Sequence, residues 1–261
     1  MNTAALDQLR DLINRSENLV AFTGAGISTE SGIPDFRSPG TGLWTKMQPI
    51  QYQEFISSEA IRTTSWSRRF DGERTMDSAK PNKGHQAIAQ WIAEGRCTQI
   101  ITQNVDNLHQ DSGVPTGQIV ELHGNATYAH CLTCKKRYEL DLLEAQFREH
   151  GAVLPCSGCE GIIKSATISF GQQMPGEPMR LAQLATENCD TFLVVGSSLT
   201  VQPAASFPAL AKQLGARLII VNREETPLDD MADLLVRDSI GTALSYAAGS
   251  TGQPLEEPNT T

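Results

Sequence analysis

Leu19-Val20-Ala21-Phe22-Thr23-Gly24-Ala25-Gly26 reads as five residues of buried strand followed by a tight glycine turn, with Ile27 onward free to open a helix. The run lacks the polar alternation of a half-exposed strand and fits one covered on both faces. Upstream, Leu6, Leu9, Leu12 and Ile13 recur at helical spacing within residues 4–15. Downstream, short apolar runs at 98–104, 119–124, 191–198, 217–222 and 233–238 read as further strands. Helical patterns lie between several of them, at 85–95, 178–189 and 204–215, the last with Pro208 in its first turn, where a missing N–H is tolerated. Strand–helix–strand order with short buried strands predicts an α/β fold, a parallel sheet with helices on both faces.

Polar residues collect where these strands end: Thr23-Gly24, Gln103-Asn104, His123-Gly124, Gly196-Ser197-Ser198 and Asn222-Arg223. Ligands of parallel sheets bind at the carboxyl ends of the strands, so these separated segments are expected to share one site. Two stretches break the alternation. Residues 38–82 contain Trp and Arg but no clear strand, and residues 126–165 hold paired cysteines. Both read as insertions that form a smaller module beside the sheet. The expected division is therefore a sheet domain of residues 1–37, 83–125 and 166–248, a small helical and metal-binding domain of residues 38–82 and 126–165, and a tail. The tail, 249–261, is poor in apolar residues and is expected to be disordered.

The chain has 261 residues, 39% of them hydrophobic and 20% charged, an ordinary composition for a globular protein. With 21 Lys+Arg against 30 Asp+Glu the formal net charge is −9. That argues against a nucleic-acid partner, which needs a basic face to neutralise phosphates. The longest charge-free stretch, Thr191 to Ala211, is interrupted by Pro203 and Pro208, so no membrane span is expected. The N-terminus carries early acids and no apolar core of an export signal, and a cytoplasmic location is expected. Nothing in the sequence bears on oligomeric state.

Cys131-x-x-Cys134 and Cys156-x-x-Cys159, 21 residues apart, form two knuckles. Four soft ligands close a tetrahedron around zinc and leave no open position, so the site should be structural. The segment around them balances five Lys/Arg with five Asp/Glu, unlike a phosphate-binding finger. Cys97 and Cys189 stand alone and read as core residues. The other motifs are ambiguous one by one. Gly24-Ala25-Gly26 suits a dinucleotide loop, yet position 29 is Thr rather than a third glycine, and Asn104 stands where an acid is usual. His123 is a strand-end histidine, structural or a base. Asn104 and Asp106 suit an Asx turn as well as a site, and Asp35-Phe36-Arg37 a solvated loop.

Together, in order, these residues resemble the sirtuins. The likeness rests on Gly24-Ala25-Gly26-Ile27-Ser28, Ser31-Gly32-Ile33-Pro34-Asp35-Phe36-Arg37, Thr102-Gln103-Asn104-Val105-Asp106-Asn107-Leu108-His109, and His123-Gly124. It continues through the four cysteines, Gly196-Ser197-Ser198, Val201-Gln202-Pro203 and Val221-Asn222. It implies a Rossmann-like domain with a small zinc and helical domain, NAD in the cleft between them, and NAD-dependent deacylation of protein lysines. The resemblance assigns catalysis to His123, Asn104 and Asp106, with His123 as general base on a ribose hydroxyl. The acyl oxygen displaces nicotinamide, and acyl transfer from lysine yields O-acyl-ADP-ribose.

For the cofactor it implies Gly24, Ala25, Gly26, Ser28, Ile33, Asp35, Phe36, Arg37, Gln103, Gly196, Ser197, Ser198, Asn222, Arg223 and Ile240. Phe36 would cover the reacting sugar. An acyl-lysine peptide would add a strand between Ile168–Gly171, including Phe170, and Ser198–Val201. Two departures qualify the likeness. Lys164-Ser165-Ala166 and Gln172 replace the Arg-Pro-Asp and the acid of many members, which leaves protein ADP-ribosyl transfer as an alternative, with a non-enzymatic NAD- or zinc-dependent binding protein as a third reading. A Tyr-x-x-Arg pair tied to dicarboxylic acyl groups is replaced by Arg69 and Gly72, so uncharged acyl groups are expected.

Overall fold

The computed structural model describes residues 3–36, 40, 42, 47–71 and 75–249. Arg37, Gly72 and the tail from Ser250, about which the sequence raised expectations, lie outside the described residues.

After α1 (Thr3–Asn14), β1 (Leu19–Thr23) runs into a short 3-10 turn, Ala25–Ser31. Next come α2 (Tyr52–Ser57), α3 (Glu59–Asp71) and α4 (Thr75–Ser78). The chain then returns through α5 (Lys83–Ala93), β2 (Cys97–Thr102), α6 (Leu108–Asp111) and β3 (Ile119–Glu121). A second excursion holds β4 (Gly124–Cys131), β5 (Arg137–Glu139), α7 (Leu140–His150) and β6 (Ile163–Thr167). The remainder is α8 (Gly176–Asn188), β7 (Thr191–Val195), α9 (Ser206–Gln213), β8 (Arg217–Val221), β9 (Leu234–Val236) and α10 (Ile240–Ala247).

The six-stranded sheet has the order β3-β2-β1-β7-β8-β9, with every pair parallel. This is the doubly wound order whose direction reverses at the central strands. All five residues of β1 are buried, and the strand's period of two sends them into two cores. Leu19 and Ala21 join Leu9, Ile13, Ile88, Trp91 and Leu244 on one face. Val20 and Phe22 join Phe192, Phe207 and Ile220 on the other. Each such large apolar side chain contributes about 1.5–3 kcal/mol by leaving water.

The excursions are more regular than the sequence suggests. Residues 38–82, read as irregular, contain α2, α3 and α4. Only Trp66 and Phe70 of α3 are buried, one helical turn apart, which is too sparse a stripe to read as amphipathic. They pack with Leu143 and Phe147 of α7 against the antiparallel sheet β5-β4-β6. The strands also end sooner than expected: 191–198 is strand only to Val195 and 119–124 only to Glu121, and the polar ends are loop. Cys97 is in the core as expected, whereas Cys189 is only half-buried.

Where β1 and β7 end side by side, two glycine loops meet backbone to backbone. The Gly24 N–H donates to Val195 O at 3.0 Å and the Gly26 N–H to Gly196 O at 2.8 Å. Gly196 has φ +63°, and a Cβ there would lie 2.4 Å from Ile27 N. Gly215 is also left-handed, at φ +98°, but a Cβ there meets nothing within 4 Å. Gly196→Ala should therefore lower the melting temperature by about 5 °C or more, from roughly 2 kcal/mol of strain and clash, and by clearly more than Gly215→Ala. Equal shifts in a calorimetric scan would contradict this.

Candidate active site

The crevice at the ends of β1, β2 and β7 is assembled by polar side chains that bind one another. The 3-10 turn after Gly24 buries Ser28, whose hydroxyl donates to Asp106 Oδ2 at 2.6 Å. Asp106 Oδ1 accepts the Leu108 N–H at 3.0 Å, an Asx turn that also starts α6. Burial pushes the Asp106 carboxyl above its ordinary pKa, opposed by these two donors. The Asn104 amide donates to Gly24 O at 3.1 Å and to Ser28 Oγ at 3.3 Å. Asn104 and Asp106, two residues apart on one extended segment, thus face the glycine turn together.

Gln103 reaches past the end of β1 to the loop after β7 and donates to Ser197 Oγ at 2.8 Å. Its backbone oxygen lies 2.9 Å from His123 Nδ1. A carbonyl can only accept, so Nδ1 carries the hydrogen and the lone pair sits on Nε2. That is the tautomer of a general base held from behind. His123 is half-buried, and its own carbonyl accepts the Ile168 N–H at 2.8 Å. At Gly124, φ +72°, a Cβ would lie 2.0 Å from Ala166 O, so β4 starts in close backbone contact with β6.

The other expected residues fall into four groups. Ile33 is buried and its N–H donates to Ser28 O at 3.2 Å, while Asp35 and Phe36 are half-buried. Ile240 packs in the same core as Ile27, and the neighbouring Gly241 N–H is held by Glu30 of the 3-10 turn at 3.0 Å. The Asn222 side chain donates to Glu224 O at 2.8 Å, within its own loop, and Arg223 is exposed. Ser198 and Val201 are half-buried, and Phe170 and Gly171 are exposed. The Phe170 carbonyl accepts the Tyr52 N–H at 2.8 Å, which ties that segment to α2.

The donor set suits a dinucleotide: buried amide, hydroxyl and carboxylate groups at strand ends beside a glycine turn. Residues missed in the sequence lie just behind it. Asn82 caps α5 and donates to Ile27 O at 2.7 Å and Ser31 Oγ at 2.9 Å. His85 and His109 are buried with ring centroids 5.0 Å apart. Burial lowers the pKa of His85 to about 4. Burial, then the neighbouring His85, lowers that of His109 to about 3. Pro81-Asn82 ahead of an apolar helical pattern was a readable cap signal. The histidine pair was not readable, because its members are 24 residues apart.

The four cysteine sulfurs lie within 4.8 Å of one another, with Cys131–Cys159 at 3.5 Å and Cys134–Cys156 at 3.6 Å across the knuckles. Thiolates around tetrahedral zinc stand about 3.8 Å apart, so this set fits the ion. The Cys134 and Gly158 N–H groups point at Cys131 and Cys156 sulfurs, each at 3.5 Å, and the Tyr138 hydroxyl donates to Cys156 at 3.0 Å.

Known proteins resemble the chain over most of its length. Residues 24–203 match the Sir2 family. An NAD-dependent protein deacetylase of Rhodopseudomonas palustris is 50% identical over 248 residues, covering 95% of this chain and 98% of that protein. One from Thermodesulfovibrio yellowstonii is 43% identical, covering 90% of each. A solved Sir2 structure with p53 peptide and NAD+ superposes with a TM-score of 0.83 at 32% identity, over 94% of this chain and 98% of the other. Another, with deacetylated p53 peptide and 3′-O-acetyl ADP ribose, gives 0.85 at 32% identity over the same shares.

The buried groups lead to two expected outcomes. A histidine whose folded pKa lies below its unfolded value of about 6.5 is protonated more readily in the unfolded chain. Stability from His85 and His109 is therefore complete above that value and lost as pH falls toward 4 and 3. Between pH 7 and pH 5 urea unfolding should register a loss of about 2 kcal/mol per histidine. A constant unfolding free energy would contradict the assignment. Stripping metal with a strong chelator should expose four titratable thiols and unfold the β4–β6 module, since structural zinc contributes folding energy directly. Retained circular dichroism with all four thiols reactive would show that the knuckles stand without the ion.

Proposed function

We propose a function from a fixed premise: the chain belongs to the Sir2 family. It is an NAD-dependent protein-lysine deacylase that takes acyl-lysine in a protein or peptide, with structural zinc in the four-cysteine site. The observation that carries this reading is the His123 imidazole, fixed through Nδ1 at the crevice that Ser28, Asn104, Asp106 and Ser197 line. Plain binding does not need a base of fixed tautomer. The bacterial relatives are named for deacetylation, which supports this reading over ADP-ribosyl transfer to protein.

When bound, NAD supplies a cleavable nicotinamide–ribose bond and the sugar hydroxyls. The protein's own residues hold and orient it. Asn104 and Ser28 hold the ribose hydroxyls. Asp106 and Ile33 line the nicotinamide pocket, and Phe36 closes over the sugar and excludes water. Gln103, Ser197, Ser198 and Gly196 take the phosphates and nearby ribose, with Asn222, Arg223 and Ile240 toward the adenosine. His123 Nε2 accepts a ribose hydroxyl proton, while Gln103 O keeps the ring from turning. The segments at Ile168–Gly171 and Ser198–Val201 receive the peptide as an added strand. Residues 38–82 and 126–165 act as a separate module, which their own small core supports. Acyl groups without charge are the expected substrates.

Among the described residues no cysteine forms a disulfide, which suits a reducing cytoplasm. Among the described residues no helix is long and apolar enough to cross a membrane.

Incubation with an acetyl-lysine peptide and NAD, followed by mass spectrometry, tests the reaction. Loss of acetyl with formation of O-acetyl-ADP-ribose is expected, whereas ADP-ribose added to protein would favour the alternative. His123→Ala should lower turnover by about 10²-fold or more with an unchanged melting temperature. A fully active variant would remove His123 from its role.

A further inference from the structure

We infer that His109 and Thr102 form a positioning relay that fixes Asn104 from behind, an inference that rests on the deacylase reading. From His109 to the Asn104 backbone the relay is a line of hydrogen bonds between neutral groups. The Thr23 hydroxyl donates to Thr102 Oγ1 at 2.8 Å, and Thr102 Oγ1 also accepts the Asn104 N–H at 3.0 Å. His109 Nε2 lies 2.9 Å from Thr23 Oγ1. Because Thr23 spends its hydrogen on Thr102, Nε2 is the donor and His109 Nδ1 is left with a lone pair. At the far end the Asn82 N–H donates to His85 Nδ1 at 3.4 Å, so His85 carries its hydrogen on Nε2.

These two tautomers leave one donor, His85 Nε2–H, and one acceptor, His109 Nδ1. They are the two ring nitrogens of the pair that have no hydrogen-bond partner among the described residues. The rings meet edge to face with centroids 5.0 Å apart. The opposite sense would set two N–H donors against each other in a dry interior, which costs a desolvation penalty. Donation therefore runs one way from His109 through Thr23 to Thr102 Oγ1, where the Asn104 N–H arrives as a second donor, while Asn82 and His85 back His109 through the ring contact. Thr23, Thr102, His85 and His109 are all at most 3% exposed, so no solvent competes, and bonds aligned in one sense reinforce each other.

The relay has a use in the site. Asn82 clamps the glycine loop through Ile27 O and Ser31 Oγ, and Asn104 bonds the same loop at Gly24 O and Ser28 Oγ. The line thus fixes Asn104 and the loop over the dinucleotide in one frame. Thr102 and His109 touch no proposed ligand atom, so they act through Asn104 as positioning residues. A displacement of about 1 Å at such a group costs on the order of 10²-fold in rate.

The test uses the full chain with Thr102→Val, which keeps the shape and removes the hydroxyl, and Thr102→Ser, which restores it. His109→Leu and His109→Gln form a second pair, since the Gln amide can still donate to Thr23. Calorimetry measures NAD binding without turnover, and deacetylation kinetics give kcat and both KM values. The relay predicts that Thr102→Val weakens NAD binding and kcat/KM for NAD by about 10- to 100-fold. The peptide KM should stay within about twofold, and Thr102→Ser and His109→Gln should recover most of the loss. Thr102→Val with NAD binding within twofold of the parent overturns the relay, as does an equal loss in Thr102→Val and Thr102→Ser. If the His109 variants do not fold, the Thr102 pair decides. A parent chain that binds NAD through Thr102 but does not deacetylate would sustain the relay and remove the deacylase reading, while a parent that does not bind NAD would overturn both.

Discussion

The structure depends on a place where two backbones touch without side chains between them. Gly24 and Gly26 lie against Gly196, with N–H groups donated across to Val195 O and Gly196 O. No Cβ fits at that junction. The close approach brings the loops after β1 and β7 together at the point where the strand order reverses. The polar groups around this junction sit on these two loops or just past the end of β2. Ser28 is four residues past Gly24, Ser197 adjoins Gly196, and Gln103 and Asn104 reach both from the neighbouring strand.

The crevice is polar, yet most of its groups are already bonded to each other. Ser28 with Asp106, Asn104 with Gly24, Gln103 with Ser197 and His123 with Gln103 form one connected set. Such a set is preorganised: little reorganisation remains when charge develops on a ligand. Its cost is burial of a carboxylate and two imidazoles, which the pKa directions of Asp106, His85 and His109 record.

Much of this was legible in the sequence, for reasons of period and position. A strand buried on both faces shows as an unbroken apolar run, and the polar residues at its end mark the ligand side, so β1, β2, β7 and β8 were found with their loops. The knuckles were legible because both ligands of each pair sit within one turn. The parts that stayed hidden depend on distant contacts. Trp66 and Phe70 give α3 only two buried side chains, and its packing partners, Leu143 and Phe147, lie in the other excursion. His85 and His109 become a pair only once α5 and α6 are folded beside β1. The boundaries ran long because strand pairing stops where the loops turn toward the crevice, and composition does not mark that point.

One further property comes from the seam at Gly124. His123 sits immediately before the strand that begins the cysteine module, and its backbone carbonyl is bonded to Ile168, the first residue after the strand that leaves the module. The module is thus a detour with both ends stapled to one residue. Sequence can grow or shrink at its outer end, around α7 and the second knuckle, without disturbing the imidazole. A single residue added between His123 and Asn125 would turn every later side chain of β4 to the opposite face. Tolerance to insertion should therefore fall steeply from the tip of the detour to its root.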